Sequence, residues 1–255
     1  MAHPNSRQDR ILAYVTQRQH VSITEICEAF SVSPATVRRD LDVLTRTMPH
    51  LRRIRGGVLA TNDVRSDPTL RQHSLEHIEE KKRIGKAASD LIEDGETVCL
   101  GGGTTVLEVA YCLRDRQNLT VITNAVPIME ILKDAPGIML IGLGGILHRP
   151  LQSYIGHITA QALAELHADK VIMGTRAIDL DKGLMNDDPI CTQTDRAMLN
   201  MGSQVIIVAD SSKFGRVATV FVAPLTAAHT LVTDSGAPPD FVSRLSARGL
   251  QVLTV

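Results

Sequence analysis

Ser31-Val-Ser-Pro-Ala-Thr-Val-Arg-Arg-Asp-Leu41 reads as a tight turn running into a helix. Ser33 is placed to cap that helix, because its hydroxyl can accept from the unpaired amides of the first turn. Pro34 follows at the first helical position, where its missing N–H costs nothing and its fixed φ suits a helix. Val37, Leu41 and Leu44 recur at i, i+4 and i+7, which predicts one buried stripe. Ala35, Thr36, Arg38 and Arg39 fall on the other face, near the helix N-terminus. That is the end a helix-turn-helix inserts into the DNA major groove.

The flanking residues complete such a unit. Arg10, Ile11, Tyr14 and Val15 have helical spacing, and a polar break follows at Gln19-His20. Ser22 to Phe30 reads as a second short helix, with Ile23, Ile26 and Phe30 facing inward. Beyond the recognition helix, Leu51-Arg-Arg-Ile-Arg-Gly-Gly-Val-Leu59 predicts a β-hairpin wing. Its Arg52, Arg53 and Arg55 are candidates for phosphate contacts. Residues 1–62 carry nine arginines, no lysine and five acidic groups, whereas the remainder holds 18 basic and 23 acidic side chains. The formal net charge of −1 therefore hides a basic head on an acidic body, and a basic head suits nucleic acid.

From these residues outward, the chain resembles the DeoR family of bacterial transcriptional regulators. The resemblance rests on the first helix, on SVSPATVRRDL and on the Arg-rich Gly-Gly wing. It continues through Glu79-Glu-Lys-Lys-Arg-Ile-Gly85, Gly103-Thr-Thr105, Val121-Ile-Thr-Asn124, Gly144-Gly145, Ala177-Ile-Asp179 and Val208 to Arg216. It implies a winged DNA-binding head joined to a sugar-phosphate-sensing domain akin to ribose-phosphate isomerases. Departures from the family stand out too. Relatives place an Asp where this chain has Gly101, and often a Glu and a Lys where it has Cys191 and Asp195.

The expected organisation is a winged helix-turn-helix over residues 1–60, a linker over 61–79 and an α/β domain over 80–255. Thr61-Asn-Asp-Val-Arg-Ser-Asp-Pro68 is polar and proline-broken, as a linker should be. Beyond it, short apolar strands alternate with helices, which predicts a mostly parallel sheet covered on both faces. Aliphatic residues dominate, with 3% aromatics and no Trp. No apolar run is long enough for a membrane span and no leader segment is evident, so a cytoplasmic protein is expected. Cys27, Cys99, Cys112 and Cys191 are scattered, as expected of buried reduced thiols.

Ligands of such folds bind beyond the C-terminal strand ends. Gly101, Gly102, Gly103, Thr104 and Thr105 join a strand to a helix there, and their amides and hydroxyls suit an anion. Asn124, Gly145, Arg176, Asp179 and Lys213 follow other strands, and Asp195 joins them through the family comparison. Asn124 is read either as a donor to the ligand or as a helix cap. No Walker or Rossmann pattern appears, so no cofactor or metal is expected. The partners implied are operator DNA, a phosphorylated sugar-like effector and further copies of the same chain. The competing class is an isomerase using Asp179 as base, but a shared fold does not carry chemistry.

Overall fold

The apolar periods of the first sixty residues become α1 (Arg7–Arg18), α2 (Ile23–Phe30) and α3 (Pro34–Thr47). The computed structural model describes residues 7–18, 20–47, 51–54, 56–60 and 76–255. The chain divides into two units, Met1–Ser66 and Asp67–Val255. Most of the expected linker, residues 61–75, lies outside the described residues.

In the first unit Ile11, Val15, Ile26, Val37, Leu41 and Leu44 form the buried core. Ser22 caps α2 in a reciprocal box: its Oγ accepts from the Glu25 amide, and the Glu25 carboxylate accepts from the Ser22 amide. Ser31 closes α2 in the left-handed region, φ 54°, and the chain turns directly into α3. The wing is β2 (Leu51–Ile54) paired antiparallel with β3 (Gly57–Ala60). A third strand, β1 (His20–Ser22), pairs with β3 on its other side. Ile23 and Phe30 are only partly buried, with Ile26 alone of the three fully inside.

The second unit is built on β4 (Thr97–Leu100), β5 (Leu119–Thr123), β6 (Ile138–Gly142), β9 (Ala168–Gly174), β12 (Gly202–Val208), β14 (Thr230–Thr233) and β15 (Gln251–Thr254). These pair in the order β15-β14-β12-β9-β4-β5-β6, every pairing parallel. Alternate side chains enter different cores. Cys99, Ile122, Val171, Met173, Val205 and Ile207 join one. Val98, Leu100, Val121, Ile172, Ile206 and Val208 join the other. The second face is covered by α4 (Ile78–Ser89), α5 (Thr104–Leu113) and α6 (Val126–Leu132) through Ile84, Val109, Leu113 and Ile128. The first is covered by α7 (His157–Ala164), α8 (Pro189–Met201) and α9 (Pro239–Ala247) through Leu163, Met198 and Leu245. None of the described helices is long and apolar enough to cross a membrane.

Two antiparallel additions modify the expected layout. A hairpin of β7 (Ile146–His148) and β8 (Ser153–Ile155) follows β6. A small sheet of β10 (Ala177–Asp179), β11 (Gly183–Asn186) and β13 (Val220–Ala223) packs Ile178, Leu184 and Val222 against the first core. The thiol reading needs correction at two positions, since Cys27 is only half-buried and Cys112 is exposed. Cys27 packs at the margin of the head's core, and Cys112 lies on an exposed side of α5.

One polar contact locks the head. Asp40 is 3% exposed on the inner side of α3. Arg7 Nε and Nη2 donate to its two oxygens at 2.7 and 3.2 Å, and Gln8 Nε2 donates at 3.1 Å. The Arg7 hydrogen bond holds the Asp40 pKa below the usual carboxylate value, against the opposing effect of burial. Because the folded value is depressed, this contribution is complete at neutral pH and is lost as the pH falls through the acid range. Asp40→Ala is expected to destabilise the head by about 1–3 kcal/mol at neutral pH, measured by amide hydrogen exchange in α3. Unchanged exchange would show that the pair contributes nothing net.

Candidate functional site

On α3, Ser33 Oγ accepts from the Thr36 amide at 3.3 Å and lies 2.9 Å from the Thr36 hydroxyl. Ser33 is thus the cap that the sequence reading expects. Ala35, Arg38 and Arg39 are exposed and Thr36 is half-buried. Arg53 of the wing donates to the Arg38 carbonyl at 3.4 Å and lies 3.6 Å from the Asp42 carboxylate. The wing is therefore tied to α3 by the same arginine that the sequence assigns to phosphates. Arg55 and the Arg52 side chain lie outside the described residues.

The second candidate site follows from strand order. The chain leaves β4 toward β5 and β6 on one side, whereas β9 and β12 lie on the other. The loops after β4 and β9 therefore diverge and leave a crevice at the strand ends. A cavity opens there. From the expected set it is lined by Gly102, Gly103, Thr104, Thr105, Asn124, Arg176, Asp195 and Lys213. Lys81, Ser153, Thr175, Asn186 and Cys191 contribute as well.

The floor is the start of α5. Gly103 caps this helix at φ 122° with no side-chain hydrogen bond to its amides. Its first-turn N–H groups and the dipole therefore face the cavity. A Cβ on Gly102 would lie 2.6 Å from Ser153 Oγ, so a side chain there would have to displace that hydroxyl within the cavity wall. Beside it, Lys81 and Lys213 approach the fully buried Asp210. Lys213 Nζ is 3.8 Å from Asp210 Oδ2, and Lys81 donates to the Glu76 carbonyl at 2.7 Å. Burial lowers the Lys81 pKa, with the Asp210 charge opposing. Burial alone would raise that of Asp210, but the Ser212 hydrogen bond and the two ammonium charges bring it below the usual range.

The opposite wall has different chemistry. Asp195 accepts from Asn186 Nδ2 at 2.7 Å. Burial, with repulsion from Asp188, pushes its pKa up to about 6, and the Asn186 bond only partly offsets this. Burial first, then Asp188 and Asp195, pushes the Cys191 thiol to about 12. The cavity is thus cationic at one end and acidic at the other.

Several expected residues lie elsewhere. Gly101 stays in the ladder, donating to Ile172 O at 3.0 Å beneath Met173 and Met198. Gly145 packs on α7, where a Cβ would meet Thr159 Oγ1. Asp179 is not in the lining. Its Oδ1 accepts from the amides of Asp181 and Lys182 at 3.0 and 2.8 Å, and those bonds hold its pKa low. Asn124 is neither cap nor free donor: Ala125 caps α6, and Asn124 Nδ2 donates to the Tyr154 carbonyl at 2.8 Å. Its Oδ1 is buried without a hydrogen-bond partner among the described residues. Lys81 lay within a motif noted in the sequence, but no strand end marks it. It reaches the cavity from the side of a covering helix.

Comparison with known proteins bears on both sites. Residues 7–64 match the DeoR-like helix-turn-helix domain, and residues 76–235 match the DeoR C terminal sensor domain. The chain is 36% identical over 236 residues to the transcriptional repressor AccR of Agrobacterium fabrum, which covers 91% of each. It is 31% identical over 246 residues to the glycerol-3-phosphate regulon repressor of Escherichia coli K12, covering 96% of this chain and 97% of the relative. Among solved structures, ribose 5-phosphate isomerase A of Methanocaldococcus jannaschii is similar over 55% of each chain, at 17% identity and a TM-score of 0.41.

The acidic wall has a measurable consequence. A folded-state pKa above the ordinary 3.8 means that the neutral carboxyl of Asp195 is the form favoured by folding. Its contribution is complete at low pH and is lost as the pH rises through about 6. Asp195→Asn mimics the neutral form and keeps the Asn186 contact. The variant is expected to be more stable than the parent by about 1–3 kcal/mol near pH 8, and no more stable near pH 4. Urea titrations at both pH values measure this, and an equal effect at the two would contradict the raised pKa.

Proposed function

We propose that this chain, which belongs to the DeoR family and is a DNA-binding transcriptional repressor rather than an enzyme, controls a carbohydrate-metabolism operon in response to a phosphorylated sugar or sugar derivative. The observation that carries the effector reading is the open start of α5 beside Lys81 and Lys213. Amides, dipole and two ammonium groups converge on one point, against a single buried carboxylate. A phosphate group sits there, against Gly102–Thr105. The remainder of the ligand extends toward Asn186 and Asp195, where a carboxyl group and an amide suit hydroxyl or amine groups. Arg176 also lies in the lining and is a third cation there.

In the head, Ala35 and Thr36 lie at base edges, Arg38 and Arg39 supply bidentate or phosphate contacts, and Arg52, Arg53 and Arg55 follow the backbone. One winged head offers limited contact area, so two heads of a homo-oligomer bind a pseudo-palindromic operator in the cytoplasm.

Gel shifts on the protein's own promoter test both halves. An Arg38→Ala, Arg39→Ala double variant is expected to lose operator affinity. A guanine contact costs about 1–3 kcal/mol and relaxes specificity, whereas a phosphate contact lowers the salt slope by about one. Wild-type affinity in that variant would remove α3 from the interface. Gly102→Val is expected to keep operator binding and lose the response to a panel of sugar phosphates, phosphorylated amino sugars and polyol phosphates. A normal response in Gly102→Val would place the effector elsewhere.

A further inference from the structure

His148, Asp188 and Cys191 bring an imidazole nitrogen, a carboxylate oxygen and a sulfur within 4.8 Å of one another. They come from two separate parts of the fold. His148 ends β7, whereas Asp188 caps α8 and Cys191 lies in its first turn. Their three-residue spacing puts Asp188 and Cys191 on one side of that helix. His148 Nε2 is 3.0 Å from Asp188 Oδ2, and the same carboxylate is the hydrogen-bond partner of the Cys191 thiol. Asp188 Oδ1 separately accepts from the Ile190 amide at 2.8 Å, so one oxygen caps the helix while Oδ2 faces His148 within the cluster. His148 Nδ1 is buried with no hydrogen-bond partner among the described residues. The Asp188 carboxylate only accepts, so Nε2 carries the proton here, and it becomes a metal ligand when that proton passes to Nδ1.

We propose that these three side chains bind a zinc-class divalent transition-metal ion, with one coordination position open toward the strand-end cavity. Sulfur plus imidazole selects such an ion over magnesium or calcium, which take oxygen donors. Tetrahedral zinc bond lengths separate the donor atoms by about 3.3–3.6 Å. Closing from at most 4.8 Å takes no more than about 1.2–1.5 Å of relative movement between two side chains. Cys191 binds as thiolate and its proton leaves to solvent. One thiolate and one carboxylate then neutralise a doubly charged ion, so the occupied site carries no net charge. Three protein donors leave the fourth position for water or an exchangeable ligand. Cys191 itself lines the cavity, and the open position therefore faces the effector. That last step rests on the function proposed above, whereas binding of the metal does not.

The test uses full-length, tag-free, chelator-treated protein titrated with Co²⁺ and, separately, Zn²⁺. One Co²⁺ per chain is expected, with visible d–d bands and a sulfur-to-cobalt charge-transfer band. Zn²⁺ should displace the Co²⁺. Cys191→Ser should abolish the charge-transfer band. His148→Gln and Asp188→Asn should weaken binding by more than the roughly 10–100-fold that loss of a mere supporting partner costs. The Asn in the latter keeps an oxygen to cap α8. A Cys27→Ser, Cys112→Ser double variant should bind as the parent does. The absence of a charge-transfer band, its survival in Cys191→Ser, or its loss in the double variant would overturn the proposal. If Cys191→Ser fails to fold by circular dichroism, the other two variants decide it: unchanged affinity in both rejects the site. Operator binding and effector response enter none of these readouts, so failure here is separable from failure of the proposed function.

Discussion

Among the described residues, every pairing in the main sheet of the second unit is parallel, and much of the remaining architecture follows from that constraint. Parallel neighbours have no hairpin route, so each strand must return through a crossover, and all seven end on the same edge. The crossovers cover both faces, and the strands alternate between two apolar cores rather than between core and solvent. Polar groups have little place on either face. They gather at the strand ends, where the reversal of order between β4 and β9 opens the cavity.

The buried carboxylate of Asp210 sets the electrostatics of that edge. At 3.8 Å from Lys213 Nζ, the attraction is about 4 kcal/mol for an effective dielectric of 20. It keeps Lys213 oriented despite the cost of desolvation. Lys81 approaches the same carboxylate from a covering helix, with its ammonium also held by a backbone carbonyl. One negative charge thus organises two positive ones beside a helix N-terminus whose cap, Gly103, has no side chain to offer. The surplus is positive, which is the sign an incoming phosphate requires.

How much of this was legible in the sequence depended on whether the signal was local. The recognition helix was fully legible, since cap, proline and apolar stripe all lie within fourteen residues. The parallel strands were legible as short apolar runs. The β1 strand was not, because three residues carry no periodicity and the Ser22 cap dominates them. The antiparallel β10-β11-β13 sheet was missed because its third strand pairs from far along the chain. The glycine-rich strand end read as Gly102–Thr105 lines the cavity, but Gly101 and Gly145 are glycine for packing, against Met173 and Thr159. Asp179 looked like a rim acceptor, yet its carboxylate serves the turn that follows it. Lys81, Asn186 and Ser153 reach the cavity from a helix, a small sheet and a hairpin, so only the tertiary fold unites them.

Cys191 and Asp195 lie four residues apart on α8 and both line the cavity. An acidic group in this wall raises the question of what balances it. Arg196, next in sequence, is engaged elsewhere: its Nε and Nη2 donate to the Val222 and Phe221 carbonyls of β13 at 3.1 and 2.5 Å. Lys213 is paired with Asp210 at the cationic end. What meets the Asp195 carboxylate is an amide, from Asn186. The neighbouring acid Asp188 adds repulsion, and the pKa rises to about 6. The wall therefore carries a carboxyl group that is only weakly held in its charged form. A ligand that supplies a hydrogen-bond donor or a cation at this point stabilises the ionised state that the fold itself disfavours. The same α8 face thus combines a charge awaiting a partner with the thiol of Cys191, and both are available to whatever occupies the cavity.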